Sequence, residues 1–383
     1  MTTPNGNSQK LRVLIAGGGV AALEAALALQ HLAADRVQVS MLAPNEEFVY
    51  RPLTVGEPFS FSGARHYPLE PIARDLEVEL IKGTLSWVQH EKRLAHTGEG
   101  EAIPYDALVM ALGARISPRY KHALTIDDRT MEQTLHGLIQ DVELGYVKSI
   151  AFVAPGRMAW PLPLYELALM TAGRAFDMNV ELPVTIVTPE QSPLAIFGEE
   201  ASRHVAELLE RSQIKTITSA YAEIPEQGEV VIHPEDRHVR VERVVALPEL
   251  YGPSVHGFPL STDGFIRVDR FGQVPDCGPL FACGDATDFA VKQGGVSAQQ
   301  ADVVAESVAK LAGVQIEPKP FHPVLRGMLM TYEHPYFMQA QITGGHGFAS
   351  QFSKEPLWEP VAKISAKYLA PYLDSLDRER AAA

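Results

Sequence analysis

The chain has 383 residues, 46% apolar and 21% charged, with 29 glycines and 28 prolines. At roughly 100–200 residues per domain, that length predicts two or three globular domains and excludes a disordered or fibrous chain. Asp and Glu outnumber Lys and Arg by 47 to 33, and the resulting field, a formal charge of −14, repels phosphate backbones and excludes nucleic acid as a partner.

The chain starts with a polar tail, MTTPNGNSQK, lacking the apolar core of a secretory signal, and no later stretch reaches the about 18 apolar residues of a membrane span. A cytoplasmic protein without a transmembrane segment is expected. Leu11–Ala16, three glycines and the Ala- and Leu-rich Val20–Ala33 predict strand, tight turn and helix. Val37–Leu42 and Tyr105–Leu112 predict two further buried strands, with a looser meander between about Leu76 and Leu94. A second strand-turn-helix begins near Lys148, followed by a strand at Pro183–Val187, a helix from about Glu199 to Arg211 and a strand at Ile214–Thr218. Val230–Val245 predicts a hairpin turning at Pro234-Glu235-Asp236, and from Gly264 the pattern returns to strand, strand and helix through Leu311.

These elements predict an α/β protein in which residues 1–118 and 255–323 form a discontinuous first domain and residues 119–254 a second. Residues 324–383 form a C-terminal appendage with an aromatic-rich Met328–Phe337, a Gly344-Gly345 turn and an amphipathic segment from Leu357. Pro360 and Pro371 limit any helix in that segment to the residues between them. Its apolar face suits the rim of a bilayer, the body of the protein or a second subunit. Its balanced charges give no electrostatic attraction to lipid, which favours docking or a homodimer.

Gly17, Gly19 and Ala22 form G-x-G-x-x-A at the first strand-to-helix turn, with Glu24 following in the helix. Glycine lets backbone N–H groups and the helix N-terminus approach a pyrophosphate, and a small third residue lets the helix pack on its strand. The acid that would bind a ribose at the end of the second strand is absent, since Ala43 and Pro44 stand there; Glu46 or Glu47 could substitute from the loop. Late in the chain, FACGDATDF places Gly284-Asp285 after a strand, where the carboxylate suits either a polyol hydroxyl or an N-cap.

GGGVAALEA, YDALVMALGA and FACGDATD, in this order, resemble the two-dinucleotide-binding-domain flavoproteins of the pyridine nucleotide-disulfide oxidoreductase superfamily. The resemblance implies two Rossmann-like domains and an extended FAD. Its pyrophosphate would lie on Gly17, Gly18, Gly19, Val20, Ala21 and Ala22, its ribityl chain at Asp285 and its ring near the helix that starts after Gly294-Gly295, covered by Phe48, Tyr50 and Pro52, with Arg51, Ala111, Gly113 and Gly284 as further cofactor-binding residues. The helix N-terminus at Gly295, Val296 and Ser297 would stabilise negative charge on the reduced ring. MLAPNEEFVYRPL, WPLPLYELALM and LWEPVAKISAKYLAPYL further resemble the sulfide:quinone oxidoreductase and type II NADH dehydrogenase branch. That implies a small-molecule electron donor and a quinone-like acceptor, with a peripheral membrane contact as one option. Glu166 is implied as a proton relay, although a carboxylate near a helix start also suits the dipole. His334 is a second catalytic candidate, although a His before Pro335 in an aromatic loop also suits a structural role.

Where that branch carries a substrate-side cysteine, this chain has Trp160, and RGMLMTYEHPYFM has none. Of the only two cysteines, Cys283 lies on the cofactor side and Cys277 in a turn beside Pro275 and Pro279; both read as buried structural thiols, so a cysteine mechanism is not expected, nor is a metal site. The second turn, Ala154-Pro155-Gly156-Arg157-Met158-Ala159-Trp160, loses an N–H at Pro155 and is crowded by bulky side chains, which argues against NAD(P) in the usual manner. A type II NAD(P)H:quinone reductase with an atypical turn, and a non-catalytic flavin-bound electron-transfer or assembly subunit, are the alternatives.

Overall fold

Val13–Ala16 of β1 (Leu11–Ala16) are all buried, as a strand covered on both faces requires. Gly17 then turns the chain with φ +131°, and a Cβ there would meet the Ala111 carbonyl oxygen at 2.2 Å, so only glycine fits. Helix α1 (Val20–Ala33) follows directly. This computed structural model describes residues 10–343 and 346–382; the Gly344-Gly345 turn and residues 1–9 of the polar tail lie outside them.

Strands β2 (Val37–Ala43), β3 (Glu79–Lys82) and β4 (Ala107–Met110) join β1 in one parallel sheet. A second parallel sheet, built from β5 (Leu124–Thr125), β6 (Ile150–Val153), β7 (Val184–Val187), β8 (Lys215–Ile217) and β9 (Arg243–Ala246), has the order β5-β9-β6-β7-β8. Its helices are α2 (Met131–Glu143), α3 (Leu162–Asp177) and α4 (Glu199–Arg211). The chain then returns to the first sheet, where β10 (Leu280–Ala282) pairs with β4 to give the order β10-β4-β1-β2-β3. Helix α5 (Gly294–Leu311) packs its alanines Ala298, Ala301, Ala305 and Ala309 with those of α1 in one core. Strands β11 (Val324–Leu329), β12 (Tyr336–Thr343) and β13 (His346–Ser353) form an antiparallel sheet, and α6 (Leu369–Ala382) ends the described chain.

Four expectations change. Glu79–Lys82 belongs to the parallel sheet, because its pairing with Ser40–Ala43 outweighs its polar composition; only 85–104 form the antiparallel meander. The expected hairpin is Glu229–His233 with Arg237–Arg240, while Arg243–Ala246 leaves it to pair with Ile150–Val153. Residues 264–279 form isolated bridges rather than strands. The expected helix between Pro360 and Pro371 is an irregular strap, and the helix starts at Leu369, placing Pro371 in its first turn, where no intrahelical N–H partner is lost. Trp358, Ile364, Leu369 and Leu373 are buried, so the terminal segment docks on the protein's own body. No helix among the described residues is long and apolar enough to cross a membrane.

Candidate functional site

Two cavities meet between the sheets. The first, a groove of about 570 Å³, runs from Gly17–Ala21 past Ala43, Phe48, Ala111 and Gly113 to Gly284 and Asp285. The second, about 420 Å³, is lined by Met158, Trp160, Glu166, Lys292, Met328 and Lys363. Arg51, Pro52, Gly113, Asp128, Asp285, Gly294 and Ile364 line both, so the two form one elongated site.

At the groove's closed end, a Cβ on Gly19 would meet nothing within 4 Å, which leaves the backbone open to a ligand at the start of α1. Gly284 adopts φ +76° and donates its N–H to Gln300 Oε1 at 2.7 Å, which turns the chain so that Asp285 follows in the groove. Ser297 Oγ donates to Asp285 Oδ1 at 3.0 Å. Burial raises the Asp285 carboxyl above the usual range, opposed by Lys292 and the Ser297 hydroxyl. Lys292 is itself buried, donates to the Thr287 carbonyl and lies 3.9 Å from the centre of the Phe265 ring. Burial pushes its ammonium down to about 8.

Glu166, in the second turn of α3, is fully buried. Its Oε1 accepts the Met330 N–H at 2.8 Å and lies 2.7 Å from Lys363 Nζ, while Oε2 has no partner among the described residues. Burial pushes the Glu166 carboxyl up and the Lys363 ammonium down, and the attraction between them opposes both shifts. The site thus offers a carboxylate with one free oxygen beside a buried ammonium.

Of the residues expected from sequence, Gly17, Gly18, Gly19, Val20, Ala21, Arg51, Pro52, Ala111, Gly113, Gly284 and Asp285 line the groove and Glu166 lines the second cavity. Ala22 is buried beneath the turn. Gly295 packs against the strap carbonyl of Ser365, and the Val296 N–H is taken by Gln293 Oε1 at 2.9 Å, so neither lines the groove, whereas Gly294 and Ser297 do. Glu47 reaches the groove edge, whereas Glu46 turns outward to Lys82 at 2.6 Å. His334 lines neither cavity: it lies in the turn before β12, tilted on the Tyr336 ring at 4.6 Å, because Thr331 and Pro335 close that turn away from Glu166. Cys283 lines the groove beside the glycine turn with its thiol pushed up to about 12 by burial, and Cys277 sits in the core on the other side of the sheet.

The second glycine turn is exposed but crowded: the Tyr221 ring lies beside Gly156, where a Cβ would come within 3.1 Å of it, and Arg157 pairs with Asp263 and lies over Tyr251 at 5.4 Å. Met158, Ala159 and Trp160 wall the second cavity. Sequence reasoning missed Lys292 and Lys363. Lys363 stands inside the short apolar run PVAKISA, a signal hidden by reading that run as an amphipathic helix, whereas Lys292, at the end of FAV and before Gln293-Gly294-Gly295, carries no local signal of burial.

Solved structures share this architecture. The sulfide:quinone oxidoreductase of Aquifex aeolicus aligns with a TM-score of 0.79 at 19% identity, over 97% of this chain and 90% of its own. A ferredoxin reductase from Rhodopseudomonas palustris aligns at 0.65 and 19% identity, over 87% of this chain and 83% of its own. The NAD-dependent persulfide reductase from A. fulgidus aligns at 0.59 and 15%, over 87% of this chain and 64% of its own. At these identities the likeness is one of fold. No curated protein matches the chain by sequence. The sequence model described as pyridine nucleotide-disulphide oxidoreductase matches residues 11–302, the span that supplies both parallel sheets and the groove, and the chain belongs to that family of FAD-dependent oxidoreductases.

Proposed function

We propose that the protein holds FAD along the groove and passes two electrons from a small reductant to a quinone-like or other small acceptor, without a cysteine step. The groove fits such a cofactor: open backbone at Gly19 faces one end, and Asp285, with one oxygen bonded to Ser297, stands where a polyol hydroxyl would meet it. When bound, FAD supplies the electron-accepting ring. The chain's own residues supply binding, orientation and proton handling.

The Glu166–Lys363 pair carries the catalytic reading. Glu166 Oε2 and Lys363 Nζ, both sealed in the cavity wall without a hydrogen-bond partner beyond their ion pair among the described residues, can pass a proton between carboxylate and ammonium next to the cavity. A carboxyl raised by burial and an ammonium lowered by it lie closer to neutral pH than either free group, which suits proton exchange. Trp160 and Met158 give the same cavity an apolar wall. Pro155, which has no N–H, and the Tyr221 and Arg157 side chains crowding the second glycine turn support a donor other than a nicotinamide dinucleotide bound in the usual manner.

The test is an absorbance spectrum of the purified protein followed by anaerobic titration with NADH, NADPH and sulfide. A flavin band that persists in both nicotinamides agrees with the reading. Bleaching by NADH would restore the NAD(P)H:quinone reductase, and a colourless protein that takes up no FAD would remove the cofactor itself. A yellow protein inert towards every dye and quinone would favour the non-catalytic subunit.

A further inference from the structure

Lys363 is buried on a segment with no regular structure, residues 358–368, so its position depends on what grips that strap. Two side chains of the N-terminal part do so. Tyr50 Oη accepts the N–H of Ile364, the residue after Lys363, at 2.9 Å. Glu24, fully buried in α1, accepts the N–H of Tyr368 on Oε1 at 2.9 Å and that of Leu369 on Oε2 at 2.6 Å. It therefore caps α6 from another helix, satisfying N–H groups that a helix start leaves open. The first turn of α5 receives the strap: a Cβ on Gly294 would lie 2.7 Å from Ile364 Cδ1.

A buried carboxylate carries a large desolvation cost. Nucleotide binding does not account for Glu24, since it does not line the groove although it follows the glycine turn by only a few residues. Its backbone N–H partners lie on the strap and α6, and it also meets the Asp302 carboxyl of α5, beside which stand Lys367 and Glu306.

We infer that Glu24 and Tyr50 are positioning residues for the reaction, holding the strap so that Lys363 meets Glu166. The inference rests on the proposed role of the Glu166–Lys363 pair. Through it, the helix that opens the cofactor groove is coupled to the proton-handling pair contributed by α3 and the C-terminal segment. When Glu24 loses its charge, the cap weakens, the strap loosens and Lys363 separates from Glu166, leaving a buried carboxyl without its cation.

The experiment uses the flavin-loaded protein and its Glu24→Gln and Tyr50→Phe variants. Three quantities are read: amide hydrogen exchange, acylation of Lys363 by an amine-reactive ester followed by mass spectrometry, and the pH profile of kcat/KM for a quinone acceptor. In Glu24→Gln, exchange confined to the strap and the first turn of α6, and Lys363 acylation, each rise about tenfold, the effect of losing one hydrogen bond to a charged acceptor. Flavin content is retained, and the pH profile moves in the same direction as in Lys363→Met. Tyr50→Phe, which removes a single acceptor, raises Lys363 acylation while α6 exchange stays at the parental value, so it carries the test if the Glu24 variant does not fold. Parental acylation and exchange in both variants would overturn the inference. Raised acylation with an unmoved pH profile would show that the strap is held as described but that the pair takes no part in the reaction, which overturns the proposed proton role and the positioning role with it.

Discussion

Lys363 Nζ lies 2.7 Å from Glu166 Oε1, with the two side chains 6% and 1% exposed. The carboxylate comes from the helix that follows the second glycine turn and the ammonium from the C-terminal strap, so an ion pair joins the second sheet's helix layer to the C-terminal segment. A pair this deeply buried is held by mutual need: each ion alone would be far more costly than the two together.

Removing one partner should therefore cost more than removing both. Lys363→Met is expected to destabilise by roughly 3–5 kcal/mol near pH 8. Without its cation the Glu166 carboxyl rises further, so the folded variant binds a proton that the unfolded chain does not, and its stability falls as pH rises through that window. The deficit should shrink at pH 5. The double variant Glu166→Gln/Lys363→Met is expected to recover much of the loss, as urea unfolding of the four proteins at both pH values would show.

The two outer glycines of the first turn should fail differently. In Gly17→Ala the new Cβ meets the Ala111 carbonyl at φ +131°, so a stability loss greater than about 1 kcal/mol is expected. In Gly19→Ala the Cβ enters open groove at an ordinary φ of −95°, so the melting temperature should stay near the parental one while FAD affinity drops. Thermal melts of the cofactor-free proteins and fluorescence titration with FAD separate the two effects.

Asp285→Ala is expected to lower FAD affinity about 10- to 100-fold, the loss of a hydrogen bond to a charged acceptor. Glu166→Gln should retain FAD and slow turnover instead. If the Asp285 variant purifies with full flavin occupancy, the polyol has been placed wrongly.

Asp302, on α5 beside Glu24, has its carboxyl pushed up to about 8 by burial and by the Glu24 charge; Glu306 adds to the effect and Lys367 opposes it. An acid raised in the folded state stabilises below its unfolded pKa and loses that contribution as pH rises through the folded value. Stability of the parent should therefore decline between about pH 4 and pH 8, and Asp302→Asn should flatten the decline, leaving the variant the more stable protein at pH 9. Denaturant midpoints at pH 6 and pH 9 give the comparison.

Local patterns carried the fold a long way. Leu11–Ala16, Val20–Ala33 and Glu199–Arg211 form as strand, helix and helix at the boundaries expected, because continuous apolar runs and helical periodicity with glycine punctuation are properties of neighbouring residues. Glu79–Lys82 and Arg243–Ala246 were misplaced because strand identity depends on a distant partner that a short run does not name.

The amino-acid order alone marked the glycine turn and the Gly-Asp corner, which are written in contiguous residues with their own backbone requirements, whereas Glu166 and the missing substrate-side cysteines were legible only through the family resemblance. Folding decided which charges meet. Lys363 reaches Glu166, Glu24 reaches Tyr368 and Leu369, Gly294 lines the groove while Gly295 and Val296 do not, and His334 is left outside. Those outcomes rest on pairing and desolvation between segments far apart in the chain, and such interactions gain their strength only where packing has removed the water between them.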